Sequence, residues 1–210
     1  LGSGGMTAKV QAARIANSAG VHLAIIDGRR PAPLQAFAAT GHGTVFIAGD
    51  AASRRMLLHE AADEGRLAGD NAGRYPDVRE HLRRTPLGIA FSDPQMAVVG
   101  VGYEELLRRQ CQFATGAVDF SEQGRSRVIR RNRGLLHLYG EVGSGRFLGA
   151  EMIAPAGEHI AHLLAWACHA NMSVDEMLAA PFYHPVIEEG VRTALRDLAH
   201  RLRMGPAPVP

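Results

Sequence analysis

The stretch FYHPVIEEGVRTAL, residues 182–195, sets His184 directly before Pro185, with Glu188 and Glu189 following in the same run. Proline favours the first turn of a helix, so the spacing predicts His184 at a helix entry with both acids roughly one turn inside. A carboxylate beside an imidazole fixes its tautomer and raises its basicity, which suits a proton shuttle. The same residues also read as a capping histidine followed by acids that complement the helix dipole. Taken alone, the stretch carries both readings.

A second candidate lies in GTVFIAGDAASRRMLLHEAADEG, residues 43–65, where an apolar run from Thr44 to Ala48 stops at Gly49 and Asp50. The residues that follow can wind as a helix. Strand, Gly-Asp, helix is an arrangement that presents backbone amides and one carboxylate to a cofactor. Weaker candidates are His159 and His162, spaced to share a helix face as metal ligands, with Glu158 beside them. No further ligand is evident there, and packing or solvation of the helix is the better reading. GRSRVIRRNRG (Arg125, Arg127, Arg130, Arg131, Arg133) reads as a basic hairpin. It lacks an aromatic platform for bases, and charged edge strands are a usual defence against aggregation. Cys111 and Cys168 lie far apart, and neither CxxC nor CxxxxC occurs, so no redox pair or zinc knuckle follows from spacing. Cys168 reads as a small buried residue of an apolar helix.

The elements that must position these groups follow from hydrophobic pattern. His22 to Ile26 reads as a short buried strand, and the strand and helix around Asp50 run to about Gly73. A boundary is expected near residue 80. Beyond it, Leu87 to Phe91, Met96 to Val101, Cys111 to Phe120, Arg127 to Asn132, Leu135 to Glu141 and Phe147 to Ile153 read as strands, with one short helix at Tyr103 to Arg109. Glu158 to Ala170, Val174 to Ala179 and Val186 to Arg203 read as helices. Strands followed by helices predict an α+β domain, an antiparallel sheet with helices on one face, preceded by partial α/β segments. The tail GPAPVP, residues 205–210, is proline-rich and expected to be disordered.

Composition sets the outer limits. With 210 residues, 46% apolar, 21% charged and a net charge of +2, the chain is an ordinary globular sequence with no general claim on nucleic acid. No apolar run approaches the roughly 18 residues that span a bilayer, and no signal peptide is visible, so no membrane partner and a cytoplasmic location are expected.

Four stretches occur in a telling order: FIAGDAASRRMLLHEAADEGRLAGDNA, TPLGIAFSDPQMAVVGVGYEEL, FLGAEMIAPAGEHIAHLLAWA and FYHPVIEEG. From about Phe46 to Leu202 the chain resembles the C-terminal part of the pyridine nucleotide-disulfide oxidoreductases, nearest to dihydrolipoamide dehydrogenase and mercuric reductase-like flavoproteins. The resemblance implies that residues 47–80 are the last strand and helix of an FAD-binding domain and residues 81–204 a dimerisation domain. It implies that Asp50 hydrogen-bonds the ribityl chain of FAD, and that Ala51, Met56, Leu57, Leu58 and His59 line the flavin and its chain. It further implies that His184 is the active-site histidine serving the redox thiolate and that Glu189 orients it, with Glu188 a solvated helix residue. In such a family the pair acts on the partner subunit, so a homodimer is expected, with NAD(P)H as the reductant. The chain departs from the pattern: it carries no GxGxxG and no CxxxxC. Its FAD site is therefore expected to be incomplete, a missing N-terminal flavoprotein portion is implied, and the chain is expected to be inactive alone.

The first residues suggest a different source. GSGG reads as a linker, yet the continuation MTAKVQAARIANSAG, IIDGRRP and GHGTVF resembles the ATP-site end of glutamate 5-kinase, an amino acid kinase, over residues 1–46. That resemblance implies an ATP site at Gly4, Gly5, Met6, Thr7 and Lys9. Glycine amides and a lysine are suitable phosphate ligands. The leading expectation is thus the C-terminal portion of a flavoprotein disulfide oxidoreductase. The alternatives are a non-catalytic dimerising interaction module and an ATP-binding fragment.

Overall fold

A computed structural model of the chain describes residues 23–25, 32, 35, 39, 44–46, 57–74, 77–80 and 83–204. The chain divides into two units, Leu1–Leu82 and Arg83–Pro210. In the first, β1 (Leu23–Ile25) pairs antiparallel with β2 (Thr44–Phe46), Leu23 opposite Phe46. Helix α1 (Leu58–Arg74) follows, its last turn braced by an Arg74–Asp70 ion pair at 2.9 Å one turn apart. Asn71 fastens the segment beyond it, accepting from the Arg79 amide and donating to the Arg79 carbonyl.

The second unit is one five-stranded antiparallel sheet in the order β3-β4-β7-β6-β5. The strands are β3 (Leu87–Ala90), β4 (Gln95–Gly100), β5 (Phe113–Asp119), β6 (Leu135–Glu141) and β7 (Phe147–Ala154). Alternation decides which face is buried. Leu136 and Leu138 on β6, Ala150 and Ala154 on β7 and Val99 on β4 are wholly withdrawn from water, whereas Leu135, Ile153, Met96 and Val98 on the other parity stay exposed. The buried set forms one core with Ile160 and Leu164 of α4 (Gly157–His169) and Leu195 and Leu198 of α6 (Glu189–Met204). The sheet with its long helices on one face is the expected α+β arrangement. Short helix α2 (Tyr103–Arg108) belongs to the opposite side, where the Tyr103 ring meets Phe113 and Tyr139 and its amide donates to Glu151 Oε2 at 3.2 Å. Tyr139 donates to the same carboxylate oxygen, and burial, then that hydrogen bond, holds its phenol well above the ordinary range. No helix among the described residues is long and apolar enough to cross a membrane.

Helix α6 presses directly on β5. At Gly116 a Cβ would stand 2.4 Å from the Ala194 carbonyl oxygen, so only glycine permits the approach. Asp197 stitches the same contact: its Oδ2 accepts from the Ala117 amide at 2.9 Å, and Arg201 brackets it one turn on. Asp197→Ala leaves that amide without its partner. We expect a loss of about 1–3 kcal/mol in urea unfolding; an unchanged midpoint would show that the bond contributes nothing.

Two sequence expectations fail. Arg127 to Asn132 is no strand: α3 (Gly124–Val128) leads into a turn where Arg130 takes a left-handed φ of 57°. The cause is local capping. Gln123 Oε1 accepts from the Ser126 amide at 2.6 Å, while the fully buried Ser126 hydroxyl reaches the Phe120 and Gln123 carbonyls. The basic-hairpin reading falls with it. The last helix also begins later than Pro185. Its opening backbone bonds run from Gly190 to Ile187 and from Val191 to Glu188, so Glu188 is a half-buried turn residue rather than a solvated helix residue.

Candidate active site

His184 stands in the segment between α5 (Val174–Ala179) and α6, next to a cis bond to Pro185. Helix α5 is set by a capping box: Ser173 and Glu176 satisfy each other's backbone amides. Glu189 is the first residue of α6. Its Oε1 lies 2.8 Å from His184 Nδ1, and its Oε2 accepts from the Val186 amide at 3.2 Å. Both carboxylate oxygens are therefore engaged by the loop they follow.

The hydrogen bond from His184 holds the Glu189 carboxyl below its ordinary value of 4.5; the Val186 amide and the charges of His184 and Arg192 act the same way, against a desolvation that opposes them. An ionised Glu189 can only accept, which makes Nδ1 the donor and leaves Nε2 as the open acceptor of the neutral ring. The His184 side chain is 80% exposed, so that nitrogen faces water. The pair can take up a proton at Nε2 and stabilise the resulting imidazolium. Because the Glu189 value is depressed, its contribution to stability is complete above 4.5 and is lost as pH falls through the folded-state value. The stability difference between wild type and Glu189→Gln is thus expected to shrink on acidification below 4.5. A difference that grows there would reverse the sign of this account.

Neighbouring contacts fix the loop. Gln123 Nε2 donates to the Val186 carbonyl at 2.8 Å, and the Phe120 ring lies so close to Gly190 that a Cβ would stand 2.8 Å from it. Arg192 sits 6.0 Å from the centroid of the Phe182 ring. Sequence reading found His184 and Glu189, which share one short stretch. It missed Gln123, which meets the loop only in three dimensions and carries no motif. Beside His184 opens an apolar groove of about 400 Å³, lined by Leu163, Met172, Met177, Phe182, Tyr183 and Val191 among others. Tyr183 and, on α4, Trp166 are 80% and 73% exposed. Exposed apolar surface of this size is the kind that interaction faces use.

The remaining candidates fall partly outside the described residues. Gly4, Gly5, Met6, Thr7, Lys9, Asp50, Ala51 and Met56 lie outside the described residues. Of the described flavin-lining candidates, Leu57 is half-buried, while Leu58, at 85% exposed, and His59 are open to water. His162 Nδ1 lies 2.7 Å from the Glu158 carbonyl oxygen, to which it donates, and His159 Nε2 lies 3.8 Å from the Glu158 carboxylate. Cys168 is half-buried, and burial pushes its thiol up.

Comparison with known proteins identifies the domain that carries this segment. Residues 87–195 match the family model of the pyridine nucleotide-disulphide oxidoreductase dimerisation domain. The chain is 27% identical over 165 residues to dihydrolipoyl dehydrogenase 3 of Pseudomonas aeruginosa, a match covering 75% of this chain and 33% of that protein. It is 26% identical over 164 residues to mercuric reductase of Acidithiobacillus ferrooxidans, covering 78% of this chain and 30% of the relative. Among solved structures, LpdA from Mycobacterium tuberculosis superposes with a TM-score of 0.62 at 22% identity, over 71% of this chain and 32% of that one. The HOCl-induced flavoprotein disulfide reductase RclA from Escherichia coli superposes with a TM-score of 0.59 at 18% identity, over 72% and 34%. These structural likenesses speak to the fold. The chain spans about a third of the length of the curated relatives it matches. Since the matched domain occupies more than half of its residues, the chain belongs to the pyridine nucleotide-disulphide oxidoreductases through their dimerisation domain.

Proposed function

We propose that this chain supplies the dimerising half-site of an FAD-dependent disulfide oxidoreductase of dihydrolipoyl dehydrogenase type. It presents the His184–Glu189 pair across a homodimer and is inactive alone. One observation carries the reading: the imidazole is oriented through Nδ1 by Glu189 while Nε2 faces outward, next to an exposed apolar groove. In this reading the groove, Tyr183 and Trp166 meet a second subunit, and in the complete enzyme Nε2 exchanges a proton with a redox thiol that lies outside this sequence. Glu189 stabilises the imidazolium formed in between. FAD and NAD(P)H, when bound to the complete enzyme, would supply the redox chemistry; the residues of this chain bind, orient and move the proton.

The test is rescue in trans. Added to a homologous oxidoreductase whose own histidine has been replaced, the chain is expected to restore activity through mixed dimers. No rescue at any mixing ratio would leave a dimerising module without a catalytic role. The kinase-type reading at Lys9 rests on sequence resemblance, and failure of ATP to protect Lys9 from amine modification would dismiss it.

A further inference from the structure

We infer that Gln123 is a positioning residue for the His184–Glu189 pair, acting through the backbone of Val186. The inference rests on the proposed role of that pair for its functional meaning, but its structural content stands independently. Gln123 lies 63 positions before Val186 and uses both ends of its amide. Oε1 accepts from the Ser126 amide at 2.6 Å and caps α3, while Nε2 donates to the Val186 carbonyl at 2.8 Å. The amide of the same Val186 donates to Glu189 Oε2, and Glu189 Oε1 accepts from His184 Nδ1. A continuous chain of four hydrogen bonds thus runs from the α3 cap to the imidazole.

Each link of this chain has a rigid mounting. Ser126 is fully buried, and its hydroxyl is bonded to backbone carbonyls of the turn that carries Gln123. Phe120, also fully buried, leaves no room for a side chain at Gly190, so the first turn of α6 packs closely on its ring. Pro185 has no N–H to donate, whereas Val186 bonds through both its amide and its carbonyl, which lie on either side of its Cα. Without the Gln123 donor, the Val186 carbonyl loses this partner and the backbone torsions of Val186 are held less firmly. The Val186 amide, on the other side of the same Cα, then holds Glu189 Oε2 less firmly, and the preference for the Nδ1–H tautomer weakens.

The variants separate capping from positioning. Gln123→Glu retains an oxygen for the Ser126 amide but has no donor for the Val186 carbonyl when ionised. Gln123→Met removes both bonds. Ring nitrogen chemical shifts of His184, recorded at about pH 8 where a free imidazole is neutral, report the tautomer directly. Amide hydrogen exchange reports Val186. In wild type we expect the proton on Nδ1. Gln123→Glu is expected to fold with an unchanged α3, to raise Val186 exchange by about five-fold, as befits one net hydrogen bond, and to move the His184 shifts toward an even tautomer mixture. Gln123→Met is expected to show the same effects together with fraying of α3. Wild-type shifts and exchange in a folded Gln123→Glu would overturn the inference. Unfolding of Gln123→Glu would overturn it as well, because the retained cap predicts a folded chain. These readouts do not require catalysis, so failure of the rescue assay would count against the proposed function and leave this result standing.

Discussion

His184→Gln is expected to lower the activity rescued in trans by about 100- to 10,000-fold, the usual contribution of a positioned general acid–base group. The substitution removes the exposed Nε2 while leaving the fold untouched, since the His184 side chain is 80% exposed and outside the core. Glu189→Gln is expected to lose a smaller part of the activity. Its amide can still bond the loop but cannot stabilise an imidazolium. The decisive comparison is the double variant. If Glu189 acts only through His184, then His184→Gln with Glu189→Gln loses no more than His184→Gln alone. Additive losses would mean that Glu189 has an independent role, and the orienting account would be wrong.

The second large effect is on stability, at Gly116. A valine there would set its Cβ 2.4 Å from the Ala194 carbonyl oxygen and 2.5 Å from the Leu198 backbone nitrogen. Neither neighbour is the movable end of a side chain, so α6 must lift from β5. We expect about 3 kcal/mol of destabilisation, the upper end for overpacking, and a fall in Tm of roughly 10 °C. Gly88→Ala is the control, since nothing lies within 4 Å of the place its methyl group would take and β3 is a sheet edge. It should stay within about 0.5 kcal/mol of wild type. Equal unfolding midpoints for the two variants would contradict the close approach of α6. The link to the site is direct: α6 begins at Glu189, so lifting it also withdraws the carboxylate from His184.

Particular residues show what the sequence made legible. β6 is legible to its ends because the apolar run LLHLYGE is bounded by Gly134 and Gly143, and α5 has the bounds expected from sequence, with Ser173 and Glu176 closing a capping box at its start. The His184–Glu189 pair was readable because both residues lie within one short stretch. Its choice over Glu188 came from resemblance to a family, and the hydrogen bond agrees with that choice. Arg127 to Asn132 was misread for a physical reason: Val128 and Ile129 between arginines imitate a charged edge strand. What bends the chain instead is a set of side-chain bonds to Ser126 and Gln123 that no hydrophobic period encodes. The start of α6 was placed too early because a proline signals a helix entry, whereas Val186 spends its amide on the Glu189 carboxylate. Contacts such as Gln123 to Val186 depend on how two distant loops meet, and nothing local announces them.

The central claim is that the face beside His184 is built to meet a second copy of the chain. Sedimentation equilibrium at micromolar concentration tests it most directly. The account predicts a species of twice the 22.5 kDa chain mass, whereas 22.5 kDa alone throughout that range would contradict it.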